Sequence, residues 1–139
     1  MNKQILKAWD KHNSDLMTAI KSASLDDIDY KQLLELTLKT IFPNNDKKYN
    51  GLPHYSRVTV VDSGNYQGTM IFVITADDYQ PSASDHWYTC VDYGSCSGCD
   101  TLQAITNYDN GLPNEEQAKD LFTLCLHLMQ KMKRMYEVE

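Results

Sequence analysis

Basic charge is scarce in this chain: 13 lysines and arginines face 19 aspartates and glutamates, a formal charge of -6 over 139 residues. Affinity for phosphate backbones rests on clustered Lys and Arg, so direct nucleic-acid binding is disfavoured. The acidity suits solubility or attraction to a basic protein surface. Long apolar runs are missing too. Nothing approaches the roughly 20 apolar residues that span a bilayer. The stretch MNKQILKAWDKHNSD is broken by charge every few residues and lacks the apolar core of a signal peptide. These absences predict a protein with no membrane partner that stays in the cytoplasm where it is made. Its four cysteines are then expected as free thiols, because a reducing compartment does not keep disulfides.

What is present is ordinary globular composition, 42% hydrophobic and 23% charged, with chain enough for one domain and its own core. Ile5, Leu6, Trp9, Leu16, Met17 and Ile20 recur near helical spacing and predict an amphipathic helix from Asn2 to about Ala23. Ser24 with Asp27 reads as the cap of a second helix, which runs through Leu33, Leu34 and Leu38 to Ile41 and stops before Pro43. The turn-rich PNNDKKYNGLP follows as a loop. RVTVVDSGNYQGTMIFVIT then reads as a β-hairpin, and its second strand, apolar on both faces, as the central one. HWYTCVDY is a third strand, with Trp87, Thr89, Val91 and Tyr93 on one face and His86, Tyr88, Cys90 and Asp92 on the other. The first of these faces is the better core candidate.

The periodicity then predicts a short helix over 100–106 and a long one over 114–136, in which Leu121, Cys125, Leu128, Met132 and Met135 share a face. Asn114 suits its cap, Glu115 and Glu116 its first turn, and Lys131, Lys133 and Arg134 its last. The whole is a single α+β domain over 1–139: helical to residue 42, hairpin and third strand over 56–93, then helices. A small antiparallel sheet of about three strands packs against N-terminal and C-terminal helices.

The four histidines form no HxH or HExxH pattern, and the neighbouring acids Asp77 with Asp78 diverge rather than converge on a bond. The stretch DYGSCSGCD carries the one compact motif. Cys96 and Cys99 have the C-x2-C spacing of a zinc clip, but no second pair completes four ligands. Cys90 stands six residues before Cys96, and Cys125 sits on an apolar helical face where a cysteine is a small hydrophobe. Cys90, Cys96 and Cys99 are thus the metal candidates, with a distant His54 or His12 as a further ligand.

A thiol reading takes the same motif before a helix, where the N-terminus lowers a thiol pKa, although Asp92 and Asp100 oppose a thiolate. A phosphate loop lacks its lysine. The remaining reading makes Gly94 and Gly98 the bend, Asp100 the cap of the next turn and the sulfurs filler. It needs neither metal nor cofactor.

The residues WYTCVDYGSCSGCDTLQAI, from Trp87 to Ile105, resemble a segment of short accessory proteins encoded by tailed bacteriophages. The resemblance carries over no activity. It implies a small protein acting in the host bacterial cytoplasm, and such proteins often bind and block a host factor, defence nucleases included. With no complete catalytic set, the expectation is a non-enzymatic binding protein whose partner is a bacterial host protein, itself monomer or homodimer. Nine tyrosines are many for this length, and a ring with a polar tip suits recognition. The expected partner surface is acidic and tyrosine-containing: Asp77, Asp78, Tyr88, Asp92, Tyr93 and Asp100. The rival readings are a cysteine-based site at Cys96 and Cys99, and a small-ligand or nucleotide pocket between sheet and helices.

Overall fold

Three helices begin on side chains that satisfy their own first turns. In the computed structural model, which describes residues 1–22, 29–43, 51–62, 68–76, 85–93 and 112–135, α1 spans Lys3–Ser22. The Asn2 carboxamide oxygen accepts from the backbone N–H of Gln4 at 2.9 Å and of Ile5 at 3.3 Å. Helix α2 spans Tyr30–Ile41 behind Asp29. The Asp29 carboxylate accepts from Gln32 N at 2.7 Å while Gln32 returns its Oε1 to Asp29 N at 2.9 Å. Helix α3 spans Glu115–Lys131, and Asn114 and Gln117 repeat that reciprocal pair at 2.8 and 2.9 Å. Each exchange satisfies two groups that a helix start leaves orphaned. Asn114 is the cap expected from sequence; the expected Ser24–Asp27 pair lies outside the described residues.

Four strands form one antiparallel sheet in the order β1-β2-β3-β4: β1 is Pro53–Asp62, β2 Gly68–Ala76, β3 His86–Tyr93 and β4 Lys133–Arg134. The expected α+β class with helices flanking a small antiparallel sheet is therefore observed, and β2 is interior as its two apolar faces required. The fourth strand comes from residues read as helix. Helix α3 ends at Lys131, and Met132 turns to extended backbone with its N–H tightened onto Met129 O at 3.2 Å. Lys133 and Arg134 then pair with Tyr88 and Trp87, and Met135 N donates to His86 O at 3.0 Å. Tertiary pairing outweighs the helical propensity of this run. Met135, expected on the helix's apolar face, is 45% exposed.

Register builds the core. On the inner face Val58, Ile74 and Trp87 lie side by side across β1, β2 and β3, with Val60, Phe72 and Thr89 as the next row. Helix α2 packs on β1, α3 on β3, and α1 on both helices. Ile5, Leu16, Ile20, Leu33, Leu34, Leu121 and Cys125 join Phe72, Ile74 and Trp87 with no solvent exposure, and each large side chain so buried contributes about 1.5–3 kcal/mol. Trp9 meets Phe122 at a ring separation of 5.0 Å, tilted as aromatic pairs prefer. Among the described residues no helix is long and apolar enough to cross a membrane. The short helix expected over 100–106 lies outside them.

Candidate functional site

Strand alternation that fills the inner face fixes what the outer face shows. Opposite the core, Thr59, Val73, Tyr88 and Lys133 form one row across the sheet, and Val61, Ile71 and Cys90 the next. The helices occupy the other side. Val61 is 48% exposed, Tyr88 38% and Ile71 37%, while Val73 and Cys90 between them are half-buried. Single exposed apolar residues are common. Three exposed ones joined by two half-buried ones on the outer face of a sheet make a patch of the kind found at recognition surfaces. Thr59, Thr69 and Thr75 border it with hydroxyls, and Lys133 stands beside Tyr88.

Of the residues expected to contact a partner, Tyr88 stands in this patch. Asp92 and Tyr93 lie on β3, their backbones opposite Thr69 and Gly68; their side chains are outside the description. Asp77, Asp78 and Asp100 lie outside the described residues, so the acidic part of the expected surface is not on view. Val61, Ile71 and Val73 were missed as a surface. Their alternation with core residues was the available signal, but for Ile71 and Val73, on the interior strand β2, it reads equally as burial on both faces.

The cysteines separate by environment. Cys90 is a free thiol in the outer patch, and Cys125 is a free thiol in the core. Burial pushes the Cys125 thiol up from 9.0 to about 12, against a smaller lowering by its hydrogen bond with Thr37. Desolvation penalises the thiolate, so Cys125 is neutral filler. Cys96 and Cys99 lie outside the described residues. Among the described residues no three His, Cys, Asp or Glu side chains are grouped to hold a metal ion.

The histidine His54, expected as a distant further ligand to the cysteine cluster, is buried. His54 is 6% exposed, and its Nδ1 accepts from the Ser56 backbone N–H at 3.1 Å and meets the Ser56 hydroxyl at 2.7 Å. A serine beside an imidazole is the start of a nucleophile pair. Here the backbone N–H already occupies the lone pair that would take the serine proton. The two residues are local neighbours on β1, within the register shift between Pro53 and Val58. The contact therefore ties an irregular strand entry and is not an activated nucleophile. On α1, Lys3, Leu6, Lys7, Asp10 and Lys11 line a groove open to solvent, which does not enclose a ligand as cofactor sites do.

No family model, curated protein or solved structure matches the chain.

Proposed function

We propose that this is a non-enzymatic binding protein that docks a protein partner on the outer face of its sheet. The carrying observation is the contiguous exposure of Val61, Ile71 and Tyr88 around Val73 and Cys90. Burying such a patch against an apolar surface contributes roughly 25 cal/mol per Å², and the Tyr88 ring offers area at little entropic cost with a hydroxyl for orientation. The partner this suits is a folded protein with a complementary apolar patch, since large exposed apolar patches mark protein interaction sites. The resemblance of the segment from Trp87 to Ile105 to phage accessory proteins supports a bacterial host protein as that partner. On this reading the protein acts in the host cytoplasm and blocks a host or defence factor by covering its working surface.

The test is affinity capture from bacterial lysate with three baits: the wild type, Ile71→Asp and Tyr88→Ala. Proteins retained by the wild type and lost by both variants, whose melting temperatures match the wild type, support the reading. Equal retention by all three folded baits overturns it.

A further inference from the structure

We infer that the solvent face of α1 is a second docking surface, which takes an acidic, extended segment of a protein partner along Lys3, Lys7 and Lys11. This goes beyond the outer-face reading and does not rest on it. Helix α1 packs on α2 and α3, on the inner side of the sheet, so the two surfaces point away from each other.

Basic charge is concentrated on this helix. Of the chain's 13 basic side chains four stand in α1, against two of its 19 acidic ones. One of those two, Asp15, is engaged by His12 at 3.0 Å. Lys3, Lys7 and Lys11 follow each other four residues apart and so form one stripe of the helix, with Leu6 and Asp10 as the parallel row beside it. All five side chains are exposed, and together they line one open groove. Among the described residues none of the three lysines makes a hydrogen bond or an ion pair, not even with Asp10.

The helix gives up stability to carry this charge. Like charges four apart destabilise a helix, and a cation in the first turn opposes the helix dipole. Lys3 is the first residue of α1 and no acid stands in that turn, whereas α3 begins with Glu115 and Glu116. Departures of this kind from local consistency concentrate at functional sites.

The charge selects an anion, and its setting selects a protein segment. Lysines four apart on a helix are separated by a rise of about 6 Å. Alternate residues of an extended chain are about 6.6 Å apart and point the same way, so acids at every second position keep step with the three lysines. The exposed Leu6 gives an apolar side chain of such a segment a surface to pack on, which a phosphate backbone does not use. Asp10 interrupts the positive field. A protein segment accommodates it by placing a neutral residue there, and a continuous row of phosphates does not. The acidity of the rest of the chain repels both a nucleic acid and an anionic membrane.

Fluorescence anisotropy on the full chain tests this with a labelled peptide of alternating glutamate and serine that carries one leucine. Binding that weakens as salt rises is expected, because exposed charges are screened. A peptide with glutamine in place of glutamate should not bind. Lys7→Glu sets like charge against the acidic peptide and is expected to weaken binding by about tenfold or more. Its melting temperature should be unchanged or raised, because an acid suits the start of a helix. Lys31→Glu on α2 alters the net charge equally at another exposed lysine, and Ile71→Asp alters the outer face of the sheet; both are expected to bind as the wild type does. No binding by the folded wild type overturns the proposal, as does a Lys31→Glu protein weakened as much as Lys7→Glu. Tighter binding of a single-stranded oligonucleotide or of phosphatidylserine vesicles than of the peptide overturns it too. Loss of binding with Ile71→Asp does the same by moving the peptide to the outer face.

Discussion

The indole Nε1 of Trp87 donates to the carbonyl oxygen of Gly51 at 2.8 Å, across 36 positions of chain. The same carbonyl accepts from Arg134 Nη2 at 3.3 Å, and Arg134 lies over the Trp87 ring at 4.8 Å and reaches Gln4 Oε1 at 3.1 Å. One node thus joins the entry to β1, the start of β3, β4 and the start of α1. Gly51 has φ +74, and a Cβ there would stand 3.1 Å from Arg134 Nη2. The left-handed backbone favours glycine, and a Cβ would also make the Arg134 guanidinium shift.

Substitutions at this node should rank by how much of it they remove. Trp87→Ala is expected to lose about 3–5 kcal/mol, the range for emptying a large aromatic site. Trp87→Phe loses the donor and part of the volume, about 2–3 kcal/mol. Gly51→Ala forces a side chain into left-handed backbone, about 1–2 kcal/mol. Urea denaturation with a shared slope checks the order; a Trp87→Phe protein as stable as the wild type contradicts it.

The Thr89 hydroxyl donates to Leu128 O at 2.7 Å in full burial. That carbonyl is in the last turn of α3, where the backbone ladder runs out, and Met132 N goes to Met129 instead. Thr89→Val keeps the shape and orphans the carbonyl, for about 1–3 kcal/mol. Thr89→Ser keeps the donor and gives up one methyl, about 0.8 kcal/mol. Valine less stable than serine at this position, in paired thermal melts, is the expected outcome.

Capping separates what the sequence disclosed from what it did not. Asn114 was legible because an acidic turn and a strong apolar period follow it. Asp29 was not, because the tract before it also offers Ser24 and Asp27, and only the reciprocal contact with Gln32 identifies the cap. The inner face of β3 was legible from Trp87 and Val91. Strand β4 was not: two residues show no period, and the long-range partners Trp87 and Tyr88 decide it. For the outer face, alternation named Tyr88 but could not tell that Ile71 and Val73 lack a covering layer. Asp29→Ala and Asn114→Ala should each lose about 1 kcal/mol, read as lowered denaturation midpoints.

Cys125 predicts an alkaline limit to stability. Its folded pKa, about 12, lies above its ordinary value of 9.0, so the unfolded chain gives up the proton first. Its contribution is whole below pH 9.0 and is lost progressively as pH rises toward about 12, at about 1 kcal/mol per pH unit. The comparison is with Cys125→Val, which removes this thiol alone. Its stability should fall less steeply over that window than that of the wild type. Under native conditions at neutral pH, alkylation should modify Cys90 and spare Cys125.

The outer face predicts a dissociation between stability and binding. Were another layer packed on it, truncating Ile71 or Val61 would open a cavity, and losses of about 2–5 kcal/mol would follow. With these side chains at 37% and 48% exposure, Ile71→Thr and Val61→Thr remove apolar area that solvent already reaches and keep a β-branched residue in the strand. Each is expected to shift stability by less than about 1 kcal/mol. The same substitutions should lower binding of a hydrophobic fluorophore and release captured partner, because both draw on exposed apolar area. A large stability loss with unchanged fluorophore binding would mean that the face is covered and does not bind the partner.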